Sequence, residues 1–293
     1  MPLSGGGFWN RLPKGVAKLV TNPDKIWLYN VTQPREASAQ TDGEAGEFWI
    51  RGKGLGGSSS VNGMIWSRGE PADYDAWEAL GAIGWNGASM TEAFLTLEDH
   101  AMGAGPMRGS GGRVHVDPAI YSYPLADRMI EAGASLGLTP VSDLNGTVGP
   151  RVGLYSHNIR KGRRESAART FLAPARKRAN VRVVTGALVD RIQFRDGRAV
   201  GVEATINGQK QQFDCRGEII VSGGTMESPL LLQRSGIGDA GRLKAAGITP
   251  IVDSPDVGER MIEHLSLSMP YRLLQGQGTQ RKFFGLGLIG AMA

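Results

Sequence analysis

The run RGKGLGGSSSVNGMIWSRGEPADYD, Arg51 to Asp75, constrains this chain more than any other stretch. Gly52, Gly54, Gly56 and Gly57 come first, followed by three serines and Asn62-Gly63-Met64. Glycines this dense let backbone approach a ligand closely, because no Cβ intervenes and positive φ costs little. Successive N–H groups in such a loop can form an anion-binding concavity. Ser58, Ser59 and Ser60 add hydroxyls, and Asn62 adds both a donor and an acceptor. A flexible linker is the plain alternative. It does not account for Ile50, Leu55, Val61, Met64, Ile65 and Trp66, which crowd the run with apolar side chains.

The rest of the chain suits a globular scaffold for that loop. Its 293 residues, 41% hydrophobic and 21% charged, are enough for a sizeable core. A net charge of +5 is mild and serves either solubility or the attraction of an anionic cofactor. Cys215 is the sole cysteine, which excludes an intrachain disulfide or a cysteine metal cluster and suits a cytoplasmic location. No signal-peptide pattern is visible at the N-terminus. The apolar stretch Phe283 to Ala293 is shorter than the roughly 20 residues needed to span a bilayer, so no transmembrane segment is expected.

Local patterns predict the elements. Val16 to Val20 fits a helical turn and Ile26 to Tyr29 an extended piece. Pro71 opens a helix in which Asp73 and Asp75 favour the positive end; paired acid/base carboxylates are the alternative reading. Thr91 to His100 and Tyr123 to Leu136 read as helices, and Arg113 to Asp117 as a strand. Trp66, Trp77 and Trp85 are expected in the core. The basic run Arg160 to Arg178 has an apolar stripe and no interleaved aromatics, so it reads as a solvated helical face and not a nucleic-acid surface. Val181 to Val184 is a short apolar run. Leu188 to Phe194 and Ala199 to Thr205 alternate around Asp196-Gly197, and Asn207-Gly208 marks a second hairpin. Gly217 to Ser222 reads as a buried parallel strand, followed by a helix beginning at Ser228-Pro229 and by another strand, Ile248 to Val252.

The residues Gly52-Lys53, Leu55-Gly56-Gly57-Ser58-Ser59, Val61-Asn62, Trp66, Gly69 and Asp75 resemble the first signature of the glucose–methanol–choline (GMC) family of flavin oxidoreductases. Gly224-Thr225, Ser228-Pro229, Leu230-Leu231 and Ser235-Gly236-Ile237-Gly238 resemble the second. The resemblance implies that the loop lies along FAD, with Ser58, Asn62, Gly63, Met64 and Ile65 as flavin contacts and the backbone of Val189 holding the adenine. Some members carry a histidine, bonded covalently to the flavin, just before the asparagine. Val61 stands there in this chain, which implies non-covalent FAD. Val257 to His264 resembles the family's VGxNLxDH turn but departs from it at Arg260, Met261 and Glu263.

The family's GxGxxG unit has no counterpart, because Gly5-Gly6-Gly7 follows no apolar strand and opens no helix. The expected fold is therefore mixed α/β: a partial Rossmann-like FAD-binding domain over 1–264, with an antiparallel hairpin insert, and a stub of the substrate domain over 265–293. The implied chemistry oxidises an alcohol, with hydride passing to flavin N5 and electrons then to oxygen, a quinone or a dye. His100, His115, His157 and His264 are expected to be structural, and no catalytic residue is assigned. The alternatives are a truncated, incompetent flavoprotein and a hydroxynitrile lyase-like protein.

Overall fold

Two Asx-Gly pairs shape the clearest part of the molecule. In the computed structural model, which describes residues 7–31, 47–118 and 124–262, Asp196 and Gly197 have φ of 48° and 75°. Asn207 and Gly208 have 51° and 77°. Positive φ at both central residues gives the turn whose twist matches flanking antiparallel strands. Ala187–Arg195, Arg198–Ile206 and Gln209–Asp214 accordingly form a three-stranded antiparallel sheet with the middle strand central. Ile192 and Ala204 are buried, and the first strand is tied to a helix: the Ile192 N–H donates to Ser235 Oγ at 2.8 Å.

That sheet and helix belong to one of two units, residues 186–293; the other is 1–185. Several expectations fail in the second unit, and each has a local reason. Gly217 to Ser222 is not a strand and Ile220 is 84% exposed. A parallel strand needs hydrogen-bonded neighbours along its edges, and none of the described strands runs beside this one. The helix spans Gly224–Arg234, so Ser228-Pro229 lies inside it and is not its cap. Pro229 removes the bond to the Thr225 carbonyl and leaves the later turns intact. Of Ile248 to Val252 only the end is a strand, Val252–Asp253, paired in parallel with Ile237–Gly238.

In the first unit, Ile26–Val31 and Glu47–Gly52 form an antiparallel ribbon, register Ile26 to Gly52, that delivers the chain into the glycine-rich run. Val16–Leu19 is the expected helical turn. Pro71–Ala79 is a helix whose cap explains both nearby acids. Asp73 accepts from the Glu70 N–H as half of a capping box, and Asp75 accepts from the Gly87 N–H at 2.9 Å. Neither is paired with the other as an acid/base couple.

The next helix is Gly87–Leu97, capped by the Asn86 side chain. It stops before His100, because Glu98–His100 leaves the helix to pair in parallel with Val114–Val116. Pro124–Ser135 is the third helix, ended by Gly137 at φ 91°. Trp77 and Trp85 are 49% and 53% exposed, against expectation, whereas Trp66 is half-buried. Val181 to Val184 forms no strand. His264 and the expected 264/265 boundary lie outside the described residues.

Gly197→Ala places a Cβ in the left-handed region and is expected to cost about 1 kcal/mol. Urea unfolding of the variant beside the parent chain checks this.

Candidate functional site

The loop is built from backbone packed on backbone. At Gly52 a Cβ would stand 2.3 Å from the Gly57 carbonyl oxygen, so only glycine fits there. The Gly52 N–H donates to Ser58 Oγ at 3.0 Å and the Gly57 N–H to the Gly54 carbonyl at 3.0 Å, closing the run into a turn over Gly57–Ser60. Ser59 Oγ accepts from the Ala167 N–H at 2.9 Å and Ser60 Oγ donates to Leu55 O at 2.9 Å. Two of the three serines are therefore structural, and Ser58 is the exposed one.

Beyond the turn the chain changes direction at Asn62. Its Oδ1 accepts from the Met64 N–H at 3.1 Å and from Arg164 Nη1 at 2.8 Å. The same nitrogen donates to Asn62 O at 2.7 Å and Ser59 O at 3.2 Å. Met64 is buried at φ 63°, a strained value for a residue with a side chain. Its carbonyl accepts from the Asn158 N–H, and Trp66 N–H donates to Ser156 O, so Ile65 bridges His157 in antiparallel fashion.

With those bonds assigned, three donors in exposed residues of the loop are left over. Among the described residues the Gly63 and Ile65 N–H groups and the Asn62 amide nitrogen have no acceptor, and open space stands where Gly63 would carry a Cβ. Ile65 lends an exposed apolar side chain beside them. Such a set suits a flat heterocycle with acceptor atoms on its rim, and it fits a flavin ring.

Of the residues expected at the site, Ser58, Asn62, Gly63, Met64 and Ile65 gather in this loop. Val189 belongs to the other unit, half-buried in the Ala187–Arg195 strand and paired with Ala204 beside a bulge. A cleft of ≈ 950 Å³ in that unit, bordered by Arg191, Cys215, Arg234 and Ile251, contains none of these residues.

Arg164 is the residue that sequence reading missed. The run Arg160 to Arg178 is not one solvated helical face. It contains short paired strands, Ile159–Arg160 and Arg163–Arg164, then a wide π-type turn over Ala168–Leu172, and Arg164 is 2% exposed. Nothing in an arginine-rich string marks which member turns inward.

The far side of the loop rests on Glu98, 1% exposed. It accepts from Trp66 Nε1 at 2.5 Å, Arg68 Nε at 3.0 Å and the Gly109 N–H at 3.0 Å, and is ion-paired with Arg68. Asn145 takes the Arg68 N–H and donates to Trp66 O. Three histidines sit in structural settings. His100 is buried, accepts from the Met102 N–H through Nδ1, and lies 3.8 Å from Asp143 through Nε2; burial holds its pKa below the usual 6.5. His115 Nδ1 is 3.2 Å from Asp99, and His157 joins two backbone bridges.

Comparison with known proteins assigns the class. Residues 32–266 match the profile of the GMC oxidoreductase family, and the chain belongs to it. It is 41% identical over 215 residues to an oxygen-dependent choline dehydrogenase of Rhizobium johnstonii, covering 73% of this chain and 39% of that one. It is 37% identical to the mitochondrial choline dehydrogenase of Homo sapiens, covering 82% of this chain and 40% of the relative. Among solved structures it resembles pyridoxine 4-oxidase from Mesorbium loti, with TM-score 0.77 and 34% identity over 86% of this chain and 48% of that one. The chain thus spans less than half the length of these relatives.

Glu98→Ala strands the Arg68 charge in the interior and is expected to cost about 3–5 kcal/mol, read from denaturant midpoints. His100 predicts a pH effect. Its pKa is lower in the folded chain than in the unfolded one, so the unfolded state takes up the proton first. Stability is full above about pH 6.5 and falls as pH drops below it; His100→Asn removes that part of the slope in urea titrations.

Proposed function

We propose that this chain forms the flavin-holding part of an FAD-dependent oxidoreductase acting on CH–OH donors, with small choline-like alcohols as the favoured substrate class. The observation that carries the reading is the set of unpaired donors at Asn62, Gly63 and Ile65, on a loop in which both Asn62 oxygens are already engaged. Choline dehydrogenase relatives and a pyridoxine oxidase neighbour support the substrate class. When bound, FAD supplies the ring that accepts a hydride from the alcohol carbon.

The residues of this chain orient that ring. Asn62, Gly63 and Ile65 would donate to it, the Ile65 side chain would pack on it, and Ser58, whose oxygen accepts from the Gly52 N–H, would keep a hydroxyl proton for a phosphate or ribityl oxygen. The Val189 backbone would hold the adenine. Met64 points inward and fixes the turn. Val61, buried and aliphatic, offers no nucleophile, so the flavin is held without a covalent bond. Residues 1–264 form the FAD-binding part and 265–293 the start of the substrate domain. The alcohol proton passes to a base that is not assigned to His100 or His115, which are engaged with Asp143 and Asp99. Electrons leave to oxygen, a quinone or a dye.

After incubation with FAD and desalting, the chain is expected to keep flavin absorption near one per polypeptide. Acid precipitation should leave a white pellet and a yellow supernatant. A colourless desalted protein overturns the holding role, and a yellow pellet overturns the non-covalent one.

A further inference from the structure

Arg164 is a buried cation without an anion. Among the described residues no carboxylate pairs with it, its Nε and Nη2 have no partner, and burial lowers its pKa. Burying a charge is costly unless it is paired or hydrogen-bonded, so the few bonds it makes carry the compensation. All of its polar contacts are through Nη1, to three oxygens of one turn: Ser59 O, Asn62 O and Asn62 Oδ1. Two of those belong to Asn62, and the side-chain oxygen also takes the Met64 N–H.

The consequence lies in the Asn62 amide. An unrestrained amide can turn over and exchange its acceptor for its donors. Here the oxygen is claimed from two directions by donors, so the amide nitrogen must face outward. The same bonds help hold Met64 at its positive φ, between the Gly63 and Ile65 N–H groups that have no acceptor among the described residues.

Resting on the flavin reading above, we infer that Arg164 is a positioning residue for the cofactor: it holds both oxygens of Asn62 so that this amide offers the flavin its N–H and not its oxygen. It does not touch the ring; it decides which atoms of Asn62 do.

The test uses the full chain and FAD itself, with affinity from quenching of flavin fluorescence and stability from thermal melts. Arg164→Met, Asn62→Ala and the double variant form a cycle. Each single change is expected to weaken FAD by about tenfold or more, and the double to be no weaker than the poorer single. Asn62→Asp separates positioning from mere packing. Its carboxylate neutralises Arg164 and raises the melting temperature by about 2 °C, yet it has no outward N–H, so FAD binding falls.

A wild-type chain that binds FAD while Arg164→Met binds it equally well overturns this inference alone. So do additive effects in the cycle, or an Asn62→Asp chain whose affinity follows its stability. A wild-type chain that binds no FAD overturns the flavin reading and this inference together.

Discussion

A guanidinium nitrogen that gathers three oxygens from two residues, Ser59 and Asn62, is the interaction on which the glycine-rich loop depends. Glycines allow a backbone to bend toward a ligand, but by themselves they also allow it to bend elsewhere. What makes this loop specific is that its acceptors are taken from within. Ser59 and Asn62 carbonyls go to Arg164, the Gly56 carbonyl to Ser59, and the Leu55 carbonyl to Ser60. Asn62 is left with its amide nitrogen as the free group because both of its oxygens are used. Glu98 does the corresponding work downstream, where Trp66 and Arg68 converge on one buried carboxylate. Loop and supports are far apart in the chain, 102 residues for Asn62 and Arg164, so the site forms only when this unit has folded.

What could be read from the sequence follows the range of the interactions. The Asp196-Gly197 and Asn207-Gly208 turns, the Pro71 helix start and the Gly137 stop depend on neighbours within a few residues, and each appears where the letters place it. The loop was legible for the same reason, since its glycine spacing is itself local. Arg164 was not, because its role comes from the opposite end of the unit and its own surroundings are a string of similar residues. The Thr91 to His100 helix was overextended because Glu98 has good helical propensity, and a parallel pairing with Val114 outweighs it. Trp77 and Trp85 were assigned to the core on hydrophobicity, which says what a side chain prefers and not what is there to cover it.

Membership of the GMC family and the proposed oxidation of alcohols stand on different observations. The first follows from 32–266 matching as a continuous stretch. The second follows from the donor set and from what relatives do.

The segment Gly217 to Ser222 carries Ile219, Ile220 and Val221 with none of the described strands alongside, and Ile220 is exposed. An uncovered apolar run of this kind can be met edge to edge by another chain. Colloidal behaviour thus depends on residues that take no part in the loop. The more concentrated the solution, the more this stretch will govern whether molecules stay apart, and a single lysine in place of Ile220 would make it a poorer template without touching a flavin contact.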